Sequence, residues 1–242
     1  MKKRVCLVLA LLMLLCGCTP MSRVSFSVES NGNLKSKSGV EYARVAYVGQ
    51  LTYLGELEFV GRVRGERRFS ARSLFTVHRT GMYALLGSAN DNVLIRKEPK
   101  NEWYSIYRKA SLPAFDGSVD RCIRLEFVRT GIGNPETDAI HISCQGGVTD
   151  RAEIAAFLQD VRSQQTAREA GLYEMVKKPD GMLENCYTYG IVYGFFEEEP
   201  NLAVEMRITS FNDLAYSINV GQYEYVLPQT RLEALLDVMC ER

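Results

Sequence analysis

Seven cysteines and two histidines are the residues of this 242-residue sequence best suited by type to hold a metal or act as nucleophiles. Cys6, Cys16 and Cys18 crowd the N-terminus, and Cys122, Cys144, Cys186 and Cys240 are spread over the rest at intervals of 22, 42 and 54 residues. A structural zinc site draws on short C-x-x-C or H-x-x-x-H spacings, and neither occurs. His141 and Cys144 stand three apart, so on one strand their side chains face opposite ways and cannot form a nucleophile–base pair. No G-x-S-x-G elbow, H-E-x-x-H helix or phosphate-cradling glycine loop is present. Asp116-Gly-Ser-Val-Asp120 and Asn90-Asp-Asn92 supply oxygens without the closing bidentate Glu of a calcium loop, and read as turns. The sequence therefore assigns no catalytic residue, metal site or cofactor.

Two patterns suit recognition better than catalysis. Along 185–196, strict alternation places Tyr187, Tyr189, Ile191, Tyr193 and Phe195 on one strand face and Thr188, Gly190, Val192 and Gly194 on the other. The glycines would let another element approach closely. The aromatic row is either core or a platform of Tyr187, Tyr189, Tyr193 and Phe195 on which sugars or peptides stack. Trp103, Tyr104 and Tyr107 form a second aromatic cluster with the same ambiguity. Arg62, Arg64, Arg67 and Arg68 surround Glu66 on what reads as a hairpin tip. Guanidinium forks suit carboxylate or phosphate contact, although such a turn is as readily a solvated loop.

The elements that would position these residues follow from periodicity. Residues 18–40 are rich in Ser, Asn, Gly and Lys and read as a flexible tether. From 41 to 118 the signals are strand-like: the run 51–60, then 73–77, 82–86, 92–96 and 103–108. In 119–242, the alternating stretches 122–128 and 140–144 read as a hairpin. Matching their apolar faces puts Cys122 and Cys144 on opposite sides, so they should be free thiols. Asp150 with Glu153 starts a helix whose stripe is Ile154, Phe157, Leu158 and Val161. Strands at 184–196, 203–209 and 216–227 precede a final helix from about Thr230. Strands in runs followed by helices predict an α+β fold: antiparallel sheets with helices near 150–168 and 230–240 packed on one face, behind a β-rich N-terminal half. The segments 41–118 and 119–242 form either one domain or two.

The N-terminus carries the most specific signal. Lys2, Lys3 and Arg4 precede ten uncharged, largely apolar residues from Cys6 to Leu15, a length that suits a signal peptide and is too short for a permanent span. Leu15-Cys-Gly-Cys18 then resembles the lipobox of bacterial lipoproteins. The resemblance implies cleavage after residue 17, a diacylglycerol on the Cys18 thiol, export, and attachment to the outer face of the cytoplasmic membrane or, in a Gram-negative host, to the outer membrane.

The remaining chain has ordinary globular composition, with 46% hydrophobic and 24% charged residues over the whole sequence. Without the signal it carries 26 Lys/Arg against 29 Asp/Glu, which argues against a nucleic-acid partner. Residues 18–118 hold 15 basic and 9 acidic groups, and 119–242 hold 11 and 20. The two segments either attract each other or present a basic face to anionic lipid or wall polymer. The expected function is a membrane-tethered, non-enzymatic binding or scaffolding protein of the cell envelope. Its partners would be membrane lipid through Cys18 and an envelope glycan, peptide or protein. An envelope hydrolase assembled only in three dimensions, or an inhibitory or structural partner of another exported protein, remain as alternatives.

Overall fold

Fourteen strands dominate the computed structural model, which describes residues 25–46, 50–63, 81–85, 91–97, 104–130 and 141–240. Strands make up 48% of it, which overturns the α+β expectation: the protein is mainly β, a closed seven-stranded barrel plus a second sheet, with three short α-helices among the described residues. Two compact units divide the chain. One comprises the residues up to Val45 and Glu56–Pro113, the other Ala46–Gly55 and Ala114–Arg242.

The first unit is the barrel, built from β1 (Ser25–Val28), β2 (Leu34–Ser36), β3 (Glu41–Arg44), β5 (Leu57–Val63), β6 (Gly81–Leu85), β7 (Val93–Lys97) and β8 (Tyr104–Lys109). Their order is β1-β2-β3-β8-β7-β6-β5, and a parallel pairing of Ser25–Phe26 with Arg62–Val63 closes it. A barrel this small is filled by its own side chains: Phe26, Leu34, Tyr42, Val63, Met82, Leu94 and Tyr107 form the core. Tyr42 Oη donates to Asp91 Oδ2 at 2.9 Å, and Lys109 Nζ binds the other Asp91 oxygen. The Lys109 hydrogen bond is the main reason the Asp91 carboxyl is held below its usual range. From Ser25 onward, the stretch read as a tether therefore supplies two strands. Its polar letters conceal two fully enclosed side chains, Phe26 and Leu34.

Between β3 and β5 the chain contributes β4 (Gln50–Tyr53) to the second unit. The apolar run at 51–60 is thus two strands in two units, separated at Gly55, whose φ of +93° suits glycine.

The second sheet runs β10 (His141–Val148), β9 (Arg124–Thr130), β11 (Cys186–Phe195), β12 (Leu202–Phe211), β13 (Ala215–Val220), β14 (Tyr223–Leu227), with β4 also on β12. Helix α1 (Arg151–Arg162) contacts β9, β13 and β14, and α3 (Gln229–Cys240) contacts β9 and β10. Asp150 caps α1, accepting from the backbone N–H groups of Ala152 and Glu153 at 2.7 and 3.0 Å. Ile154, Leu158 and Val161 are its buried stripe. Between the helices and β9 lies an apolar recess of about 520 Å³ lined by Leu125, Ala156, Phe157 and Leu235. A third, four-residue helix, α2 (Leu172–Met175), lies in a segment with no strong periodicity.

Leu125, Phe127, Val192, Val204, Met206 and Ile208 occupy one face of this sheet and are fully enclosed. Gly190 and Gly194 share that face, and what comes close to them is a neighbouring side chain. A Cβ on Gly190 would run into the Phe127 ring and lie 3.0 Å from the Val128 carbonyl. One on Gly194 would strike Cys122 Sγ and lie 2.9 Å from Val204 Cγ1. Gly190→Ala should therefore destabilise the protein by about 1–3 kcal/mol through overpacking, read as a lower urea midpoint. An unchanged midpoint would mean that the Phe127 ring can move aside.

Candidate functional site

The opposite face of the same sheet carries a polar recess. Strand β12 alternates, so that Val204, Met206 and Ile208 face the core while Glu205, Arg207 and Thr209 face the other way. Beside these three residues, β13 and β14 present Asn219 and Glu224, paired directly across their ladder. The turn between them passes through Gly221, at φ +65°. Gln50 of β4 pairs with Glu205. Together with Gly221 and Tyr173 these residues line a cavity of about 290 Å³ within the second unit.

Tyr173 arrives by a route that strand periodicity does not reveal. Residues 165–167 run beside β14, held by the Val226 N–H to the Gln165 carbonyl and the Ala167 N–H to the Glu224 carbonyl, each 2.9 Å. Thr166 and Glu169 then cap one another: the Thr166 N–H and Oγ1 donate to Glu169 Oε2 at 3.0 and 2.8 Å, and the Glu169 N–H returns to Thr166 Oγ1 at 3.2 Å. The backbone bond from Thr166 lowers the Glu169 carboxyl. This brings α2 over Phe211, where Tyr173 packs edge-on at 5.2 Å within a cluster of Ala167, Leu172, Val176 and Phe211. The Tyr173 hydroxyl donates to Glu224 Oε2, and the Ser217 hydroxyl donates to Glu224 Oε1. Burial first, then the bond to Glu224, pushes the Tyr173 phenol up, so it remains a donor.

Arg207 is the least satisfied group of the recess. Its Nε is buried with no hydrogen-bond partner among the described residues. Nη2 reaches Gln50 Oε1 at a long 3.4 Å and Glu205 Oε2 at 4.0 Å, which is an ion pair without a hydrogen bond. The Arg207 side chain keeps 42% of its surface open, whereas Glu205 keeps 19%. Burial raises the Glu205 carboxyl, and the nearby Arg207 charge and a hydrogen bond with Thr52 offset only part of that rise. Tyr193, directly across the ladder from Glu205, is raised by burial and then by the Glu205 charge.

The aromatic row is not one surface. A bulge at Tyr189 shifts the register between Thr188↔Thr209 and Gly190↔Ile208, and this reverses the alternation. Tyr187 pairs with Ser210 on the core side, and its hydroxyl donates to Asp213. Tyr189 stacks against Phe127 at 6.4 Å and meets Tyr216 edge-on at 5.3 Å. Tyr193 and Phe195 stay on the other face, where Arg124 lies 4.2 Å over the Phe195 ring. The expected single face of Tyr187, Tyr189, Tyr193 and Phe195 is thus corrected to two pairs on opposite faces.

Of the arginine cluster, Arg62 is half-buried on β5 with its guanidinium 5.9 Å from the Phe59 ring centre, and Arg64, Arg67 and Arg68 lie outside the described residues. Cys18, His78 and Trp103 also lie outside them, as do the side chains of His141, Cys144 and Cys240. Cys122 is free and buried, and burial, with Asp120 adding to it, pushes its thiol up to about 12. Asp120 itself holds Arg162 through two bonds of 2.6 and 3.1 Å. Among the described residues no cluster of three or more His, Cys, Asp or Glu could hold a metal ion. No protein-family model, curated protein or solved structure matches this chain.

The polar alternation of Glu205, Arg207 and Thr209 was visible in the sequence, but charged residues opposite an apolar strand face ordinarily mark solvent exposure. The Thr166-x-x-Glu169 spacing was the available sign that an element begins there.

A carboxyl raised by burial makes the folded state hold its proton more tightly than the unfolded chain does. Glu205 then costs nothing below the usual carboxylate range, and the cost grows as pH rises through that range to its own higher value. Glu205→Gln should therefore raise the denaturation midpoint at pH 7, with the difference vanishing in acid. A lower midpoint at pH 7 would show that attraction to Arg207 outweighs desolvation.

Proposed function

We propose that this chain is a lipid-anchored protein of the bacterial cell envelope that binds a small polar ligand in the recess around Arg207. The anchor rests on one observation, the ordered succession of Lys2–Arg4, the uncharged run Cys6–Leu15 and the lipobox-like Leu15-Cys-Gly-Cys18. Two acyl chains on Cys18 give stable attachment, since each buried CH₂ contributes about 0.8 kcal/mol and a single chain holds only marginally. A seven-residue link from Cys18 to the first strand at Ser25 keeps the barrel near the bilayer surface, since seven extended residues span at most about 25 Å.

The binding role is supported by the chemistry of the recess. Arg207 Nε is buried without a partner among the described residues, and burial penalises a Glu205 charge that Arg207 only partly offsets, so each group carries a desolvation cost. A ligand that hydrogen-bonds both would relieve that cost, which gives the arrangement a use.

The anchor is tested by metabolic labelling with a fatty-acid probe and by membrane fractionation. The parent should take up label and pellet with membranes, and Cys18→Ser should lose the label and leave an uncleaved or soluble chain. Normal labelling of Cys18→Ser would overturn the proposal.

A further inference from the structure

The geometry of Glu205 and Arg207 points to a neutral sugar as the ligand of this recess, and we infer that one sugar hydroxyl bridges the two side chains. The inference deepens the binding role proposed above and rests on it. The pair is held 4.0 Å apart, too far for a direct hydrogen bond and close enough for one intervening oxygen. An oxygen about 2.8 Å from each group would subtend an angle of roughly 90° across that gap, wide enough for it to accept one bond and donate another. It would accept from Arg207 Nη2 and donate to Glu205 Oε2, linking the two without bringing them together.

The charge of the site selects among ligands. Two carboxylates, Glu205 and Glu224, face one guanidinium. A phosphate or carboxylate seated on Arg207 would lie against both acids, and an ammonium seated on the acids would lie against Arg207. A neutral polyol avoids both conflicts, because each hydroxyl donates and accepts. The rest of the lining matches that alternation. Asn219, Gln50 and Thr209 offer donors and acceptors, and Glu224 has spent one acceptor site on each oxygen, on Tyr173 and Ser217, leaving lone pairs free. The volume of about 290 Å³ lies at the small end of ligand cavities, a size for one sugar residue.

The test uses the full-length chain in detergent micelles. Saturation-transfer NMR and calorimetry would be run with glucose, galactose and N-acetylglucosamine as neutral sugars. Glucuronate, inorganic phosphate, glycine and lysine would serve as charged and zwitterionic controls. At least one neutral sugar should bind, and none of the four controls should compete. Arg207→Met, which keeps the side-chain length and removes the fork, should weaken binding by about tenfold or more, a loss of about 1.4 kcal/mol. Arg121→Gln, outside the recess, should change nothing. If Arg207→Met fails to fold, the isosteric Thr209→Val gives the same comparison. Affinity that rises from a monosaccharide to its tetramer would identify a polymer as the source, and equal affinity a free sugar, both consistent with the inference.

Binding of glucuronate, phosphate or an amino acid in place of a neutral sugar would overturn the sugar assignment while leaving the binding role standing. Sugar binding unchanged in both Arg207→Met and Thr209→Val would place the ligand elsewhere. No binding by any of the seven solutes would overturn the inference, and because lipid labelling of Cys18 is measured separately, that failure is distinct from failure of the anchor.

Discussion

The second sheet is organised by the need of β12 to find hydrogen-bond partners along both of its edges. Residues 203–211 pair with β11 along one edge. The other edge is divided: β4 takes residues 202–205 and β13 takes 208–211. Buried backbone groups left unpaired are costly, so the chain's departure from the barrel after β3, to lay down Gln50–Tyr53, serves a strand some 150 residues later. The division falls opposite Met206 and Arg207. Met206 turns into the core, and Arg207 turns into the recess that opens where the two partner strands part. The unusual pairing of β12 and the position of the guanidinium therefore share one cause.

A second constraint is steric and acts on the same sheet. Phe127 and Cys122 need space on the core face, and Gly190 and Gly194 give it by having no Cβ. The bulge at Tyr189 lies immediately before Gly190. It moves Tyr187 and Tyr189 to the core side, where Phe127, Tyr216 and Asp213 receive them. A one-residue insertion reverses every side chain beyond it. The two tyrosines C-terminal and N-terminal to the bulge thus serve different faces, and Tyr193 is left beside Glu205. Glycine spacing announced close packing here, but nothing in local periodicity distinguishes a regular strand from one carrying an extra residue.

The same limit explains which parts of the architecture could be read from the chain. Strands from Val93 to Phe211 stand near where alternation put them, the expected strand 216–227 is instead a hairpin turning at Gly221, and Asp150 begins a helix as its capping spacing indicated. The fold class depends on contacts that local periodicity does not carry. Barrel closure depends on Ser25–Phe26 meeting Arg62–Val63 in parallel, a contact nearly forty residues apart with no local signature. Phe26 and Leu34, enclosed in that barrel, sit among serines, asparagines and lysines whose average polarity resembles a linker. The recess was illegible for a related reason. Glu205 and Arg207 have the spacing of solvated residues, and only the approach of Tyr173 and the β13–β14 turn encloses them.

Electrostatics decides more at short range than through net charge. The second unit carries 11 Lys/Arg and 21 Asp/Glu, so it repels anions as a whole. That field is largely screened beyond a Debye length of about 8 Å at physiological salt. Within the recess Glu205 and Arg207 stand 4.0 Å apart, well inside that length, where solvent screens them least. For the ligand proposed above, the choice between neutral and charged chemistry would therefore be made by Glu205, Arg207 and Glu224 themselves. Because burial already penalises the Glu205 charge, a hydroxyl that donates to its carboxylate would offset part of that cost. The guanidinium, which stays charged at any physiological pH, would then be the fixed donor against which such a hydroxyl is oriented.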